Sequence, residues 1–258
     1  MSKSNPIIPE NNPIQVADRM FMVIELLASK GSLGLMDISN ELHLNKTTVH
    51  RILNSLTYMG YVVQDHNNLK YRLSFKLCSL SSQILDQIDI TKIVRPYLKD
   101  LVRLTGETVH LVQIDGTEAI YIDKLESTDN SVRLVSQLGR RLPLYCSGVG
   151  KSLLADMPEE EVLDVWNNSK KELLTPKTVI TLPEFLKELE TVRKSGYAID
   201  NEENEMGIRC VAASINLDGM PQYAFSVSAP TYRMDDDRLH HLADIVLDTK
   251  ETITSALS

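Results

Sequence analysis

Residues 35–60 read LMDISNELHLNKTTVHRILNSLTYMG, and this stretch decides the fold of the N-terminal part. A short helix at about Leu35–Leu42, a tight turn at His43-Leu44 and a longer helix capped by Asn45 have the spacing of a helix-turn-helix. Gly60 suits the position just beyond the end of the longer helix. Apolar residues recur on one face of that helix with the period of an α-helix, namely Val49, Ile52, Leu53 and Leu56.

The other face of the longer helix is polar and carries no acidic residue. It consists of Lys46, Thr47, Thr48, His50, Arg51 and Asn54. Such side chains can bond to base edges and phosphates in a DNA major groove. An alternative from the pattern alone is a purely structural three-helix bundle whose polar face is solvated.

The flanking residues extend the motif on both sides. Helical periodicity begins at Ile14 and ends at Gly31. After Gly60, two short β-capable runs enclose the turn residues at 65–68, which predicts a hairpin. Three helices followed by a hairpin are the order of a winged helix-turn-helix, and Lys70 in the wing is a further candidate DNA contact.

The net charge of −8 over 258 residues argues weakly against nucleic-acid binding, but it is unevenly distributed. Residues 1–88 hold eight basic and seven acidic side chains, and the remainder holds 19 basic and 28 acidic ones. The acidity therefore belongs to the C-terminal part. The sequence contains no apolar run long enough to span a membrane and no secretory signal, and three widely spaced cysteines fit reduced thiols, so we expect a cytoplasmic protein.

We predict four segments and an α+β fold. Residues 1–12 form a disordered lead, 13–74 the winged helix-turn-helix, 75–88 an amphipathic linker helix and 89–258 a second domain. In that domain, strand-like runs joined by short turns predict a largely antiparallel sheet with helices packed on it. The predicted strands include 132–136 and a hairpin turn at Asp218-Gly219, whereas residues 139–143 are predicted to be a loop.

The candidate chemistry of the second domain is that of a binding site. Gly148 and Val149 lie at a predicted helix start, where backbone N–H groups favour an anion. Lys151 follows, but the spacing fails that of a nucleotide P-loop because position 145 is Tyr. Ser226 and Ser228 share one face of the last strand, a small-residue face that either meets solvent or lines a cavity.

Acids, histidines and cysteines supply few further candidates. Most of the acidic run 200–205 is expected to be a solvated loop, although Asp200 follows a strand and could turn inward. His110 stands alone on a strand and is expected to be structural, and no spacing predicts a metal site, a cofactor or a catalytic triad. Two alternatives remain open: a Cys-dependent redox enzyme using Cys146 and Cys210, and a DNA-binding protein without a small-molecule ligand.

Several motifs in one order give the chain a family resemblance. They are residues 44–53 (LNKTTVHRIL), 139–151 (GRRLPLYCSGVGK), 200–203 (DNEE) with 207–213 (GIRCVAA), and 226–230 (SVSAP). With them, residues 14–257 resemble the IclR-type bacterial transcription regulators. Residues 107–111 and 139–141 are most similar to the subgroup that represses 2-keto-3-deoxygluconate catabolism.

The resemblance implies a winged helix-turn-helix, a linker helix and a GAF/PAS-like effector domain, assembled as a homodimer or a dimer of dimers. It implies a ligand-responsive repressor of a carbon-catabolic operon that binds a pseudo-palindromic operator and senses a small 2-oxo or sugar acid. The implied effector-binding positions are Leu134, Gly148, Val149, Asp200, Cys210, Ser226 and Ser228.

Overall fold

A computed structural model describes residues 12, 14–86, 89–127, 136–217 and 220–257. The chain divides into two compact units, residues 1–87 and 88–258. Some of the sequence predictions lie wholly or almost wholly outside the described residues, namely the lead at 1–12, most of the strand at 132–136, Leu134 and the Asp218-Gly219 turn; the segments predicted at 13–74, 75–88 and 89–258 each include a few residues outside them.

The first unit contains α1 (Gln15–Lys30), α2 (Leu35–Glu41), α3 (Lys46–Tyr58), β1 (Val62–Gln64), β2 (Tyr71–Leu73) and α4 (Lys76–Asp86). The strands β1 and β2 pair antiparallel, with Gln64 opposite Tyr71. The helical period places one apolar face of each of α1, α2 and α3 in a common core. This core is made of Val23, Leu27, Ile38, Val49, Ile52, Leu53, Leu56, Val62 and Tyr71.

Two glycines end helices of this unit at the predicted places. Gly31 has φ +76° after α1 and Gly60 has φ +79° after α3, a region that favours glycine. Asn45 occupies the N-cap position of α3, but its side chain makes no capping hydrogen bond. The predicted side-chain cap is therefore absent, although the backbone carbonyl of Asn45 accepts the first hydrogen bond of the helix from Val49 N–H at 3.1 Å.

The second unit begins with α5 (Asp89–Thr105) and continues through β3 (Thr108–Asp115), β4 (Glu118–Leu125) and β5 (Arg141–Pro143). Then follow α6 (Gly148–Ala155), α7 (Glu159–Asn168), α8 (Leu182–Ser195), β6 (Ala198–Asn201), β7 (Ile208–Leu217), β8 (Met220–Pro230), a 3₁₀ turn at Thr231–Arg233 and α9 (Asp236–Leu257). The predicted loop at 139–143 was wrong in its second half. Residues 141–143 pair with β4, and Leu142 is buried opposite Ala119.

A six-stranded sheet in the order β5-β4-β3-β8-β7-β6 is the centre of this unit, and every described pairing is antiparallel. One face carries a core that includes Leu98, Val211 and Leu242, so α5 and α9 cover it. The other face carries a second core around Leu153, Trp166 and Phe185, contributed by α6, α7 and α8. The predicted α+β class with a largely antiparallel sheet is confirmed.

Candidate functional site

Helix α3 exposes the polar face that the sequence selects. Its apolar stripe is buried, so the opposite side chains must point to solvent. Lys46, Thr47, His50, Arg51 and Asn54 are exposed and Thr48 is half-buried. Asn54 Nδ2 lies 3.4 Å from His50 Nδ1, so two neighbouring groups of this face contact each other. Sequence reasoning missed Tyr58, which ends α3 and is 93% exposed.

The wing is held by local hydrogen bonds. Asp65 N–H donates to the carbonyl of Lys70 at 2.8 Å, and Asn67 N–H donates to the Asp65 carboxylate at 2.8 Å. Asn68 accepts from Lys70 N–H through its side chain at 2.9 Å. These bonds fix the backbone of the turn, and the Lys70 side chain remains exposed. Lys70 is thus available as the sequence predicts.

A cavity of about 530 Å³ lies in the second unit, on the sheet face that carries α6. Six of the seven predicted effector positions line it, namely Gly148, Val149, Asp200, Cys210, Ser226 and Ser228. The seventh, Leu134, lies outside the described residues. Positions predicted from separate motifs therefore converge on one concave site, whose size is ordinary for a small-molecule pocket.

Small side chains on two paired strands form one wall of the cavity. Cys210 on β7 stands opposite Ser228 on β8, and Ala212 stands opposite Ser226. The hydroxyl oxygens of Ser226 and Ser228 lie 3.4 Å apart. The small-residue face of the last strand thus lines a cavity and does not face solvent.

Helix α6 begins at this cavity. Ser147 caps it, since its hydroxyl accepts from Gly150 N–H at 3.2 Å and donates to the Pro143 carbonyl at 2.6 Å. A Cβ on Gly148 would lie 2.8 Å from Cys210 Sγ, so a glycine lets the helix start approach β7. The backbone N–H groups at this end favour an anion, as expected from the helix dipole.

Lys151 has no role resembling that of a P-loop lysine. It is buried, and its ammonium lies 3.0 Å from Glu188 Oε2 and 2.5 Å from Glu203 Oε1. Burial lowers its pKa, but the two carboxylates raise it more, so that the net pKa shift is upward. The predicted solvated acidic loop was therefore wrong for Glu203, which is buried as the partner of Lys151.

Asp200 turns inward, as the sequence suggests. One carboxylate oxygen accepts from Glu203 N–H at 2.8 Å and from Asn204 N–H at 3.4 Å. Burial raises the pKa of Asp200 to about 6, against the opposing effect of these bonds and of Lys151. A carboxyl group with this pKa stands in the cavity wall and can change protonation near neutral pH.

His110 and Tyr121 also line the cavity, and sequence reasoning missed both. The prediction of a solely structural His110 is incomplete, since its ring packs on Tyr121 with centroids 4.9 Å apart while facing the cavity. Burial, with a contribution from Lys124, lowers the pKa of His110 to about 3. The pairing of β3 with β8 places His110 opposite Ser226, which no local pattern predicts.

The two cysteines of this unit are unsuited to thiolate chemistry. Cys146 and Cys210 are buried, and burial raises the pKa of each thiol, that of Cys146 to about 12. A reactive cysteine requires a lowered thiol pKa and some exposure. Over the described ranges, no group of three or more His, Cys, Asp or Glu side chains could hold a metal ion.

None of the helices in the described part of the chain has the length and apolar character needed to cross a membrane. The first unit offers an exposed polar helix face with a wing, and the second offers a cavity with an anion-favouring helix start. These are the features of a DNA-binding domain joined to a small-molecule-binding domain.

Comparison with known proteins agrees with the assignment of both units. Residues 16–66 match the family model of the IclR helix-turn-helix domain, and residues 82–255 match that of the bacterial transcriptional regulator IclR C-terminal domain. The transcriptional regulator KdgR of Escherichia coli (strain K12) is 34% identical over 222 residues, covering 86% of this chain and 84% of that protein. The transcriptional repressor AllR of the same organism is 34% identical over 245 residues, covering 94% of this chain and 90% of that protein.

The crystal structure of Thermotoga maritima IclR superposes with a TM-score of 0.82 and 30% identity, covering 94% of this chain and 97% of that one. These relatives are named as transcription factors, so the redox-enzyme alternative is set aside. The polar face of α3, the cavity behind α6 and the two matching family models lead to one conclusion: the chain is a DNA-binding, ligand-responsive transcriptional regulator that belongs to the IclR family.

Proposed function

We propose that the chain represses a carbon-catabolic operon and that a small carboxylate bound in the cavity changes its affinity for the operator. The effector is a 2-oxo acid or a sugar acid such as 2-keto-3-deoxygluconate. The observation that carries this proposal is the convergence of six predicted effector positions on one cavity of about 530 Å³. The chain's similarity to AllR, which is named a transcriptional repressor, supports the sign of regulation.

In this proposal, the exposed face of α3 lies in the major groove. Arg51 and Asn54 carry donor groups that can bond to base edges, whereas Lys46 and the wing residue Lys70 neutralise phosphates. Thr47, Thr48 and His50 complete the interface. The chain acts in the cytoplasm as a homodimer or a dimer of dimers, so that two copies of α3 bind the halves of a pseudo-palindrome.

The effector's carboxylate would lie at the start of α6, beside the backbone N–H groups of Gly148 and Val149. Its remaining oxygens would bond to Ser226, Ser228 and Asp200, and Cys210 would pack against its carbon chain. Because a ligand shifts an equilibrium only by its differential affinity, the effector must bind more tightly to one arrangement of the domains than to the other.

A gel shift on the DNA upstream of the chain's own gene tests the DNA interface. Arg51→Ala should weaken binding about tenfold, the cost of one good base or phosphate contact. Thr57→Ala changes an exposed residue at the far end of the same helix and should bind as wild type. If Arg51→Ala also binds as wild type, α3 is not the recognition helix.

Thermal shift against a panel of 2-oxo acids and sugar acids tests the effector site. A ligand at 100 times its Kd stabilises the folded protein by about 2.7 kcal/mol. Ser226→Ala should reduce the shift, whereas Ser29→Ala, a change in α1 of the first unit, should not. A panel without any stabilisation would favour the alternative of a DNA-binding protein that senses no small molecule.

A further inference from the structure

His110 lies in the cavity wall and is 2% exposed. It belongs to β3, where it pairs directly with Ser226 of β8. Directly opposed residues of an antiparallel pair project from the same face of the sheet, so the imidazole and the serine hydroxyl share the cavity side. Neither the predicted effector set nor the proposed contacts of the carboxylate use this histidine.

His110 joins three serines into a chain of polar contacts that we call the hydroxyl row: Ser136, His110, Ser228 and Ser226. His110 Nε2 lies 2.7 Å from Ser136 Oγ, and Nδ1 lies 3.4 Å from Ser228 Oγ. The next step, from Ser228 Oγ to Ser226 Oγ, is also 3.4 Å. All four residues line the cavity. The 3.4 Å separations leave room for tightening when a ligand oxygen joins the row.

The imidazole at the centre of the row is neutral. Burial and the nearby charge of Lys124 lower the pKa of His110 to about 3. It cannot therefore act as the positive counter-ion of an anionic ligand at physiological pH. A neutral imidazole has one donor and one acceptor nitrogen, and each serine hydroxyl can donate and accept. The hydroxyl row can thus both give and take hydrogen bonds, without carrying charge.

Resting on the effector role proposed above, we propose that His110 is a positioning residue that orients the Ser226 and Ser228 hydroxyls towards a polyhydroxylated carbon chain. A ligand hydroxyl both donates and accepts, so it can join the row without leaving a buried group unsatisfied. A methylene does neither and would leave these serine hydroxyls with only the 3.4 Å contacts within the row. The cavity therefore selects hydroxylated acids over unhydroxylated acids of equal length.

The protonation state can be measured on the free full-length protein. The chain has six histidines. The imidazole ¹⁵N signals that disappear in His110→Asn are those of His110. Those signals should show a neutral, single-tautomer ring that does not titrate between pH 5 and 8. A His110 ring that becomes protonated in this range would overturn the proposal, whatever the protein binds.

Selectivity is measured as the ratio of Kd values for hexanoate and D-gluconate, which share six carbons and one carboxylate. Wild type should prefer D-gluconate by at least about tenfold, the worth of one satisfied hydrogen bond. His110→Phe keeps the ring against Tyr121 but lacks both nitrogens, and should bring the ratio close to one. His110→Asn keeps polar atoms near the place of Nδ1 and should retain most of the preference.

The outcomes separate this inference from the function on which it rests. Binding of both acids without preference in wild type, or an unchanged preference in His110→Phe, overturns the role of His110 and leaves the effector site standing. Binding of neither acid, nor of any other acid in the panel, overturns the effector site and with it this inference. Should His110→Phe not fold, a wild-type ratio near one or a His110 ring that titrates between pH 5 and 8 would still overturn the inference.

Discussion

Helix α3 presents its polar side chains to solvent, whereas every residue of helix α6 is buried. Both helices begin with an extended cap residue followed within four positions by a lysine, Lys46 in one and Lys151 in the other. In α3 the exposed side chains are the candidate site. In α6 the candidate site is the helix start itself, and the side chains serve to hold it. Two helices that both begin with an extended cap residue and a nearby lysine can thus supply a binding surface in one case and the support beneath a site in the other.

The first way to break this comparison is to change the third residue of each helix to alanine. In Gly150→Ala the new Cβ would lie 2.2 Å from the Leu144 carbonyl oxygen and 2.3 Å from Leu144 Cα. Backbone atoms cannot rotate away as a side chain can, so we expect a loss above about 3 kcal/mol, at the upper end of overpacking effects. Urea unfolding followed by the fluorescence of Trp166 measures it, since this single tryptophan is buried in the second unit.

The control is Thr48→Ala, at the third residue of α3, which shortens a half-buried side chain. It should cost less than about 1 kcal/mol, as read from the melting of the first unit by circular dichroism. A wild-type unfolding midpoint for Gly150→Ala would mean that α6 does not approach Leu144 as closely as the structure places it.

The second test compares the two lysines. Lys151→Met removes the cation between Glu203 and Glu188 and leaves buried acid without its partner, which should cost about 3 kcal/mol at pH 8. Lys46→Met on the exposed face of α3 should change stability by less than about 0.5 kcal/mol and weaken DNA binding instead. Equal losses of stability in the two variants would contradict the contrast between the helices.

The same two helices show which features of the candidate sites can be predicted from the sequence and which cannot. The face of α3 follows from a periodic pattern within thirteen residues, so its exposed side chains could be named directly. Gly148 and Gly150 mark the start of α6. A side chain at these positions would collide with Cys210 and Leu144, and the local sequence does not reveal those contacts. The partners of Lys151 and His110 come from strands and loops far along the chain, with Glu203 52 positions from Lys151 and Ser228 118 positions from His110.

Those distant partners depend on strand order and register, and a single sequence contains no local signal for either. The family resemblance supplied Asp200, Cys210, Ser226 and Ser228 as pocket positions, and the structure brings them to one cavity. It did not supply His110, because its role requires knowing that β3 and β8 are neighbours. Nor did it predict that Glu203, within an acidic run, would be buried.

A third test concerns the buried acids beneath α6. Burial raises the pKa of Glu203 from its ordinary 4.5 to about 7. Between these values the folded chain holds more protons than the unfolded one, so the free energy of unfolding falls as pH rises through this window. Asp200 acts in the same direction, and His110, with its lowered pKa, acts in the opposite one.

Because these contributions overlap, the informative quantity is the difference between a variant and wild type at each pH. Glu203→Gln should gain on the order of 2 kcal/mol relative to wild type between pH 4.5 and 7, measured by urea unfolding. Glu160→Gln makes the same change of charge at an exposed position of α7 and serves as the matched control. Parallel pH curves for Glu203→Gln and wild type would show that Glu203 is not held in a raised-pKa environment.

The smallest losses of stability should come from replacing the N-cap residues, Ser147 of α6 and Asn45 of α3. These two variants compare the starts of the two helices directly. Ser147→Ala removes a hydroxyl that accepts from Gly150 N–H and donates to the Pro143 carbonyl, both in the interior. It should cost about 1 kcal/mol, the usual value of a helix cap, or somewhat more because of the second bond. Asn45→Ala should cost less than about 0.5 kcal/mol, because the Asn45 side chain makes no capping bond.

Urea unfolding by Trp166 fluorescence measures the Ser147 variant, and circular dichroism of the first unit measures the Asn45 variant. If Asn45→Ala costs as much as Ser147→Ala, the Asn45 amide caps α3 in solution and the start of that helix is as firmly held as that of α6. The larger cost predicted for Ser147→Ala than for Asn45→Ala has a functional reason. A helix start that binds a small anion must keep its N–H groups in place, whereas a helix that binds DNA along its exposed face can leave its first turn to be ordered by the phosphates.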